Sequence, residues 1–216
     1  MARLGVSVLS AEEAKLPQAL KEIERAGADE LHLDVMDGKY VPAKKFGVKE
    51  LREIREKTKI YIDAHLMVKE PDRVLDDYAK AGANAITFHL ETSPAPEKTI
   101  KKIKSLGLRA GIAVNNKIPA ERAMPYLKTA DLVLVMAVEA GIGGQGFIGK
   151  NLEKVRALRR AIDKGGHKCV LAADGGINMQ TGKLAVDAGA DMLCAGSYVI
   201  HAKNMKTAVE ALKKLK

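Results

Sequence analysis

The chain has 216 residues, 36 Lys and Arg against 27 Asp and Glu, a net charge of +9 and no Trp. That length suits one large domain or two small ones with ample core. The basic residues are spread along the helix-like segments among acidic ones, without a dense basic stripe or interleaved aromatics; this argues against a nucleic-acid footprint and leaves a modest positive field for an anionic small molecule.

Apolar strand-like runs alternate with amphipathic helical runs from end to end. The first strand is expected over Leu4–Leu9, and Ser10-Ala-Glu-Glu13 has the capping-box pattern that opens a helix. Leu16, Ala19, Leu20 and Ile23 follow helical spacing. The second strand is Glu30–Met36, followed by a helix with Val48, Leu51 and Ile54 on one side. The third is Ile60–Met67, and Pro71 suits an early helix position ahead of Val74, Leu75, Tyr78 and Ala79. The fourth is Ala85–Leu90, with a helix over 95–106. The fifth is Leu108–Val114, with a short helix carrying Ala120, Ala123, Met124 and Leu127. The sixth is Asp131–Val138, then a Gly-rich loop and a helix with Leu152, Val155, Leu158 and Ile162. The seventh is Lys168–Ala173, and its helix places Thr181, Leu184, Ala185 and Ala188 on one face. The eighth is Met192–Ala195, and a last helix carries Met205, Ala208, Val209 and Leu212.

Ala26-Gly-Ala, Ala81-Gly-Ala and Ala188-Gly-Ala each close a helix just before a strand, with glycine as the left-handed cap, and Gly107 has the same place after Leu106. Eight strand-helix units in this length match a single-domain α/β (β/α)₈ TIM barrel. The alternative is a doubly wound open sheet, which usually carries a Gly-rich fingerprint after its first strand; the stretch after Ser7 has none. Cys169 and Cys194 lie in apolar strand-like runs without metal or redox-motif spacing, which reads as two buried thiols in a reducing compartment. With no apolar run of membrane-spanning length and no signal-peptide pattern, a soluble cytoplasmic protein with no membrane partner is expected.

A buried parallel strand should be apolar on both faces, yet the second one sends His32, Asp34 and Met36 to one side. Burying such groups without partners costs several kcal/mol, roughly. In a barrel the active site lies at the C-terminal strand ends, where Asp63, His65, Met67, His89, Glu91, Met136 and Asp174 also fall. His32, Asp34, His65 and Asp174 would converge there as a site for one divalent metal of the zinc, iron, manganese or cobalt kind. The competing reading is a network of buried His–Asp hydrogen bonds; for Asp34 or Asp174 alone, it is a carboxylate accepting loop N–H groups. His167 and His201 read as surface residues. Loops 141–146, 175–177 and 195–197 contain glycines, and the backbone N–H groups of Gly176, Gly196 and Ser197 could cradle a phosphate.

His32-Leu-Asp-Val-Met-Asp-Gly38, Tyr40-Val-Pro42, His65-Leu-Met67, Val135-Met136, Gly143-Gly-Gln145, Asp174-Gly-Gly-Ile-Asn178 and Ala195-Gly-Ser197 together resemble the ribulose-phosphate 3-epimerase family, in order and over nearly the whole chain. The resemblance implies a (β/α)₈ isomerase of carbohydrate metabolism that inverts carbon 3 of a ketose phosphate, interconverting ribulose 5-phosphate and xylulose 5-phosphate. It implies that His32, Asp34, His65 and Asp174 bind the metal, zinc foremost, and that Asp34 and Asp174 are also the acid/base pair. Ser7 and His65 would contact substrate, and Gly143, Gly144, Gln145, Gly146, Gly175, Gly176, Gly196 and Ser197 would form the substrate and phosphate loops. Met36, Met67 and Met136 would line the reacting plane, against the plainer reading of core filling. Dimers or larger homo-oligomers are implied as well.

The chain departs from the family pattern at Lys39-Tyr-Val-Pro-Ala43, at Val114-Asn-Asn116 and at Glu139-Ala-Gly-Ile142 before Gly-Gly-Gln145. These loops bear on the choice of substrate. A six-carbon ketose phosphate such as allulose 6-phosphate is therefore a second reading, and a weakly active sugar-phosphate-binding barrel a third. Decarboxylase-type relatives share such phosphate loops but generally place a lysine among the strand-end residues, where this chain has His65.

Overall fold

Strand alternation decides which side chains face the helices and which face inward, and the computed structural model, which describes residues 1–141 and 144–216, is built on that division. Among these residues the strands are β1 (Arg3–Ser7), β2 (Glu30–Asp37), β3 (Lys44–Lys45), β4 (Ile62–Met67), β5 (Ala85–His89), β6 (Arg109–Val114), β7 (Leu132–Met136), β8 (Val170–Asp174) and β9 (Met192–Ala195). Eight run parallel in the order β1-β9-β8-β7-β6-β5-β4-β2, and β1 pairs with β2 to close the ring. That closure makes the fold a (β/α)₈ barrel and removes the open-sheet alternative. The two-residue β3 pairs antiparallel with the end of β2.

The helices are α1 (Leu16–Ala26), α2 (Val48–Lys57), α3 (Leu75–Lys80), α4 (Pro96–Ser105), α5 (Leu152–Gly165), α6 (Met179–Asp187), α7 (Ser197–Ile200) and α8 (Met205–Lys213). Leu31, Leu33 and Val35 of β2 join Leu20 and Ile23 of α1 and Leu51 and Ile54 of α2 in the main core. Each such side chain, fully buried, is worth about 1.5–3 kcal/mol. The alternate residues of β7, β8 and β9 form a separate interior cluster of Leu134, Met136, Ala172, Met192 and Cys194. The alternate residues of β2 and β4 are instead His32, Asp34, Asp63 and His65, all buried. One side of the barrel interior is therefore polar and the other apolar.

Gly27, Gly82, Gly107 and Gly189 all take positive φ at helix ends, as their sequence context predicts. Three expectations are corrected. Ser10 caps no helix: a 3₁₀ turn over Glu13–Lys15 leads into α1 at Leu16, where Pro17, which has no N–H to satisfy, fits the first turn. The helix expected around Ala120–Leu127 is a pair of 3₁₀ turns, Ala120–Arg122 and Met124–Tyr126, because Pro125 interrupts it. Leu184 is 43% exposed; α6 instead buries Gly182 and Ala185, with Gly182 set against Leu193, Leu212 and Leu215. The long side chain at 184 is displaced outward because the helix approaches through its glycine.

Candidate active site

The register of β2 against its neighbours sets Ser7 beside His32, Asp34 beside His65 and Met36 beside Met67. Asp34 Oδ1 lies 3.0 Å from His65 Nδ1 and 3.4 Å from His32 Nε2, and the two imidazole nitrogens are 3.2 Å apart. Asp174, at the end of β8, brings Oδ2 to 3.9 Å from His32 Nε2. Ligand atoms of His32, Asp34, His65 and Asp174 all lie within 4.8 Å of one another, and all four residues are buried. This is the set named from the sequence, and its two nitrogens and two carboxylates fit a divalent ion of borderline softness.

The partners of this set hold it in place. Ser7 Oγ donates to Asp34 Oδ2 at 2.6 Å. His32 turns Nδ1 toward Asp63 Oδ2 at 3.3 Å, and Asp63 accepts from Thr87 Oγ1 at 2.9 Å. Gly111, the strand partner of Thr87, leaves room for that hydroxyl, since a Cβ there would stand 2.2 Å from it. Glu30, His32 and Asp63 form a second group of potential ligands that shares His32 with the first.

Ser7, Asp34, Met136, Gly144, Gln145, Asp174, Gly175, Gly176, Gly196 and Ser197 line one cavity of about 350 Å³, together with Ser10, Asn178, Cys194 and Tyr198. Gly175 has φ +108°, and a Cβ there would meet Val138 at 2.4 Å, so the turn out of β8 needs a residue without one. Asn178 follows as the cap of α6, accepting from the N–H groups of Gln180 and Thr181 while Thr181 Oγ1 accepts from the Asn178 N–H. Gly146 is exposed and stands outside the cavity lining, and Gly143 and Ile142 lie outside the described residues. Met36 and Met67 pack with Val41 beside Leu9 and Tyr40 rather than on the cavity wall.

Electrostatics separates the two carboxylates. Burial pushes Asp174 up, His32 opposes, and the charges of Asp34 and Asp63 add, bringing it to about 7. Burial also opposes ionisation of Asp34, but His32 and His65 outweigh it and hold that carboxyl well below its ordinary range. Burial pushes His65 down to about 4 despite the Asp34 carboxylate beside it, which keeps the imidazole neutral at neutral pH. Cys194, 3.8 Å from His32 Nδ1, is pushed up to about 12 by burial and stays a thiol. Cys169 and Cys194 are both buried and free.

Several polar residues at the mouth escaped the sequence reading. Asp37 accepts from the backbone N–H groups of Lys39, Tyr40 and Lys69, which folds the loop after β2 and points Tyr40 at His89 and Glu91. Asn116 Nδ2 donates to the Val138 carbonyl, and Asn151 Nδ2 donates to Asn116 Oδ1 and the Met136 carbonyl. These bonds tie together the ends of β6 and β7. The two-residue spacing from His65 in a buried strand already places Asp63 on the same face in the sequence; the asparagines give no such signal, because their partners lie far away in sequence. His201 is exposed and His167 partly so.

The sequence model of the ribulose-phosphate 3 epimerase family matches residues 3–200. Ribulose-phosphate 3-epimerase of Bacillus subtilis is 39% identical over 214 residues, covering 99% of each chain. The protein of that name from Mycobacterium tuberculosis is 41% identical over 211 residues, covering 98% of this chain and 91% of its own. Among solved structures, a 3-hexulose-6-phosphate synthase superposes with a TM-score of 0.74 at 15% identity over 98% of each chain. KGPDC from Streptococcus mutans does so with a TM-score of 0.72 at 17% identity, covering 99% of this chain and 96% of its own. These two share the fold. Among the described residues no helix is long and apolar enough to cross a membrane. The match across the family model and to full-length relatives makes this chain an epimerase that belongs to the ribulose-phosphate 3-epimerase family.

Proposed function

We propose that the chain interconverts D-ribulose 5-phosphate and D-xylulose 5-phosphate, with Asp34 and Asp174 removing a proton from C3 on one face and delivering another on the opposite face. The observation that carries this reading is the meeting of those two carboxyls at one cavity, one held ionised and the other raised to about 7. C3 lies next to the C2 carbonyl, so losing its proton gives a cis-enediolate. Asp34 as carboxylate takes the proton from one face, and Asp174 as acid returns one to the opposite face; the reverse reaction exchanges the roles. General acid–base help of this kind is worth roughly 10²–10⁴-fold.

His32, Asp34, His65 and Asp174 would hold the divalent ion, with zinc the first choice and iron, manganese or cobalt the alternatives. Such an ion supplies Lewis-acid stabilisation of the negative charge on the substrate oxygens. Ser7 orients Asp34 through its 2.6 Å hydrogen bond and reaches the substrate from the cavity wall. Gly144, Gly176, Gly196 and Ser197 would offer backbone N–H groups to the phosphate, with Gln145 and Gly175 beside them in the cavity lining. Met136 lines the cavity beside Asp34 and Asp174, where its polarizable sulfur would help exclude water, while Met36 and Met67 pack with Val41 away from the cavity wall. The 216 residues act as one domain, since all eight barrel strands enclose a single interior.

Turnover of the purified, metal-loaded enzyme on ribulose 5-phosphate and on allulose 6-phosphate tests the assignment. The expected outcome is a kcat/KM at least ~10-fold higher for the five-carbon substrate, a difference of about 1.4 kcal/mol in transition-state stabilisation. The opposite preference would shift the substrate to six carbons, and inactivity on both would contradict C3 epimerisation of these substrates.

A further inference from the structure

A line of side chains runs from His65 to the barrel mouth. His65 Nε2 is 3.0 Å from His89 Nε2, His89 Nδ1 is 3.0 Å from Tyr40 Oη, and Tyr40 Oη donates to Glu91 Oε1 at 2.7 Å. Asn115 Nδ2 donates to the same phenolic oxygen at 2.7 Å. The two imidazoles are fully buried and stacked, with centroids 5.0 Å apart. Tyr40 follows β2, Glu91 follows β5 and Asn115 follows β6, so three strand ends meet at one hydroxyl.

Counting donors and acceptors gives this line a direction. Burial works against the charge on Glu91, but nearby His89, with Nδ1 3.7 Å from Oε1, and the hydrogen bond from Tyr40 outweigh it and hold the carboxyl at about 2. An ionised carboxylate can only accept. The Asn115 amide is oriented by the Asn116 backbone N–H, which donates to Oδ1 at 2.8 Å and leaves Nδ2 facing Tyr40. The single proton of Tyr40 therefore goes to Glu91, and its lone pairs accept from Asn115 and from His89 Nδ1–H. With its proton on Nδ1, the His89 ring presents Nε2 as an acceptor, 3.0 Å from His65 Nε2, which then carries the donating N–H. A neutral His65 is left with its lone pair on Nδ1, 3.0 Å from Asp34 Oδ1. Two acceptors at that distance repel unless a cation joins them, which is the arrangement that a metal-ligating imidazole beside a carboxylate needs.

We propose that Glu91, acting through Tyr40 and His89, is a positioning residue that fixes the tautomer of His65, with the proton on Nε2 and the lone pair on Nδ1 facing Asp34 and His32. This inference rests on the reading of His65 as a metal ligand. The Lys39–Ala43 and Val114–Asn116 departures from the family pattern flank two members of this line, Tyr40 and Asn115.

The test combines histidine ¹⁵N NMR with chelator competition for Zn²⁺ and Co²⁺, on the intact protein and on Tyr40→Phe and Glu91→Gln. The first substitution cuts the line. The second replaces an acceptor with an amide that can donate and so permits the reverse direction. The expected results are a proton on His89 Nδ1 in the unsubstituted protein, a Zn²⁺-loaded His65 protonated on Nε2, and metal affinity lowered roughly 10–100-fold in both variants. A proton on His89 Nε2 with Nδ1 bare, or metal affinities within about twofold of the unsubstituted protein in both variants, would overturn the inference. Failure of the unsubstituted protein to bind either metal would defeat the metal reading instead, and the His89 spectrum of the metal-free protein would still report the direction of the line.

Discussion

At the scale of single residues, the site is a problem of directing hydrogen-bond donors and acceptors inside a dry barrel. His32 is fully buried, and Asp63 accepts at its Nδ1 side so that Nε2 faces Asp34 and Asp174. Asp63 is itself held by Thr87. Replacing Asp63 with Asn removes the carboxylate that fixes the imidazole, and metal affinity or kcat should fall roughly 10–100-fold while the fold persists. Metal titration followed by turnover under saturating metal checks this, and wild-type affinity in the variant would contradict it. His32, Asp34, His65 and Asp174 were legible in the sequence because polar residues interrupted strands that should be apolar. Their supports were less legible. Thr87 is an ordinary strand residue, and its role depends on the space beside Gly111, which alternation does not reveal.

At the scale of elements, strands and their ends carry the site, and helix starts shape its rim. Asn178 closes the turn after β8 and caps α6 with a reciprocal bond from Thr181. Asn178→Ala should lower stability by about 0.5–2 kcal/mol, seen as a lower midpoint in urea unfolding with an unchanged slope. An unchanged midpoint would show that the cap is dispensable. The element pattern was readable wherever periodicity was strong, as in α1, α5 and α8. It failed at Ser10, whose capping-box pattern was local, whereas the start of α1 followed Pro17 and the first periodic apolar residue, Leu16. It failed again at Leu184, where the closest approach runs through Gly182 and no apolar side chain marks the contact.

At the scale of the whole molecule, barrel closure brings residues from distant parts of the chain to one cavity. Ser7, Asp34 and Asp174 meet because β1 joins both β2 and β9, and β9 joins β8. That same closure ties global stability to pH through titratable groups at the mouth. Glu91 is held at about 2 against an ordinary value of 4.5, so the folded state binds its proton less readily than the unfolded chain. Its contribution is fully present above pH 4.5 and is lost as pH falls toward 2. The melting temperature should therefore decline over that window, and Glu91→Gln should flatten this acid limb in a thermal-melt series. An acid limb of unchanged steepness in the variant would contradict the assignment.

In the proposed reaction Asp34 and Asp174 act at C3 from opposite faces, one removing a proton and the other delivering a different one. The most direct measurement is deuterium incorporation at C3, followed by NMR, with ribulose 5-phosphate in D₂O and metal-loaded enzyme beside Asp174→Asn. The account predicts that early xylulose 5-phosphate carries solvent deuterium at C3 while unreacted substrate remains largely protiated, and that Asp174→Asn loses roughly 10²–10⁴-fold in rate. Product that retains the original C3 proton, or full activity in Asp174→Asn, would contradict it.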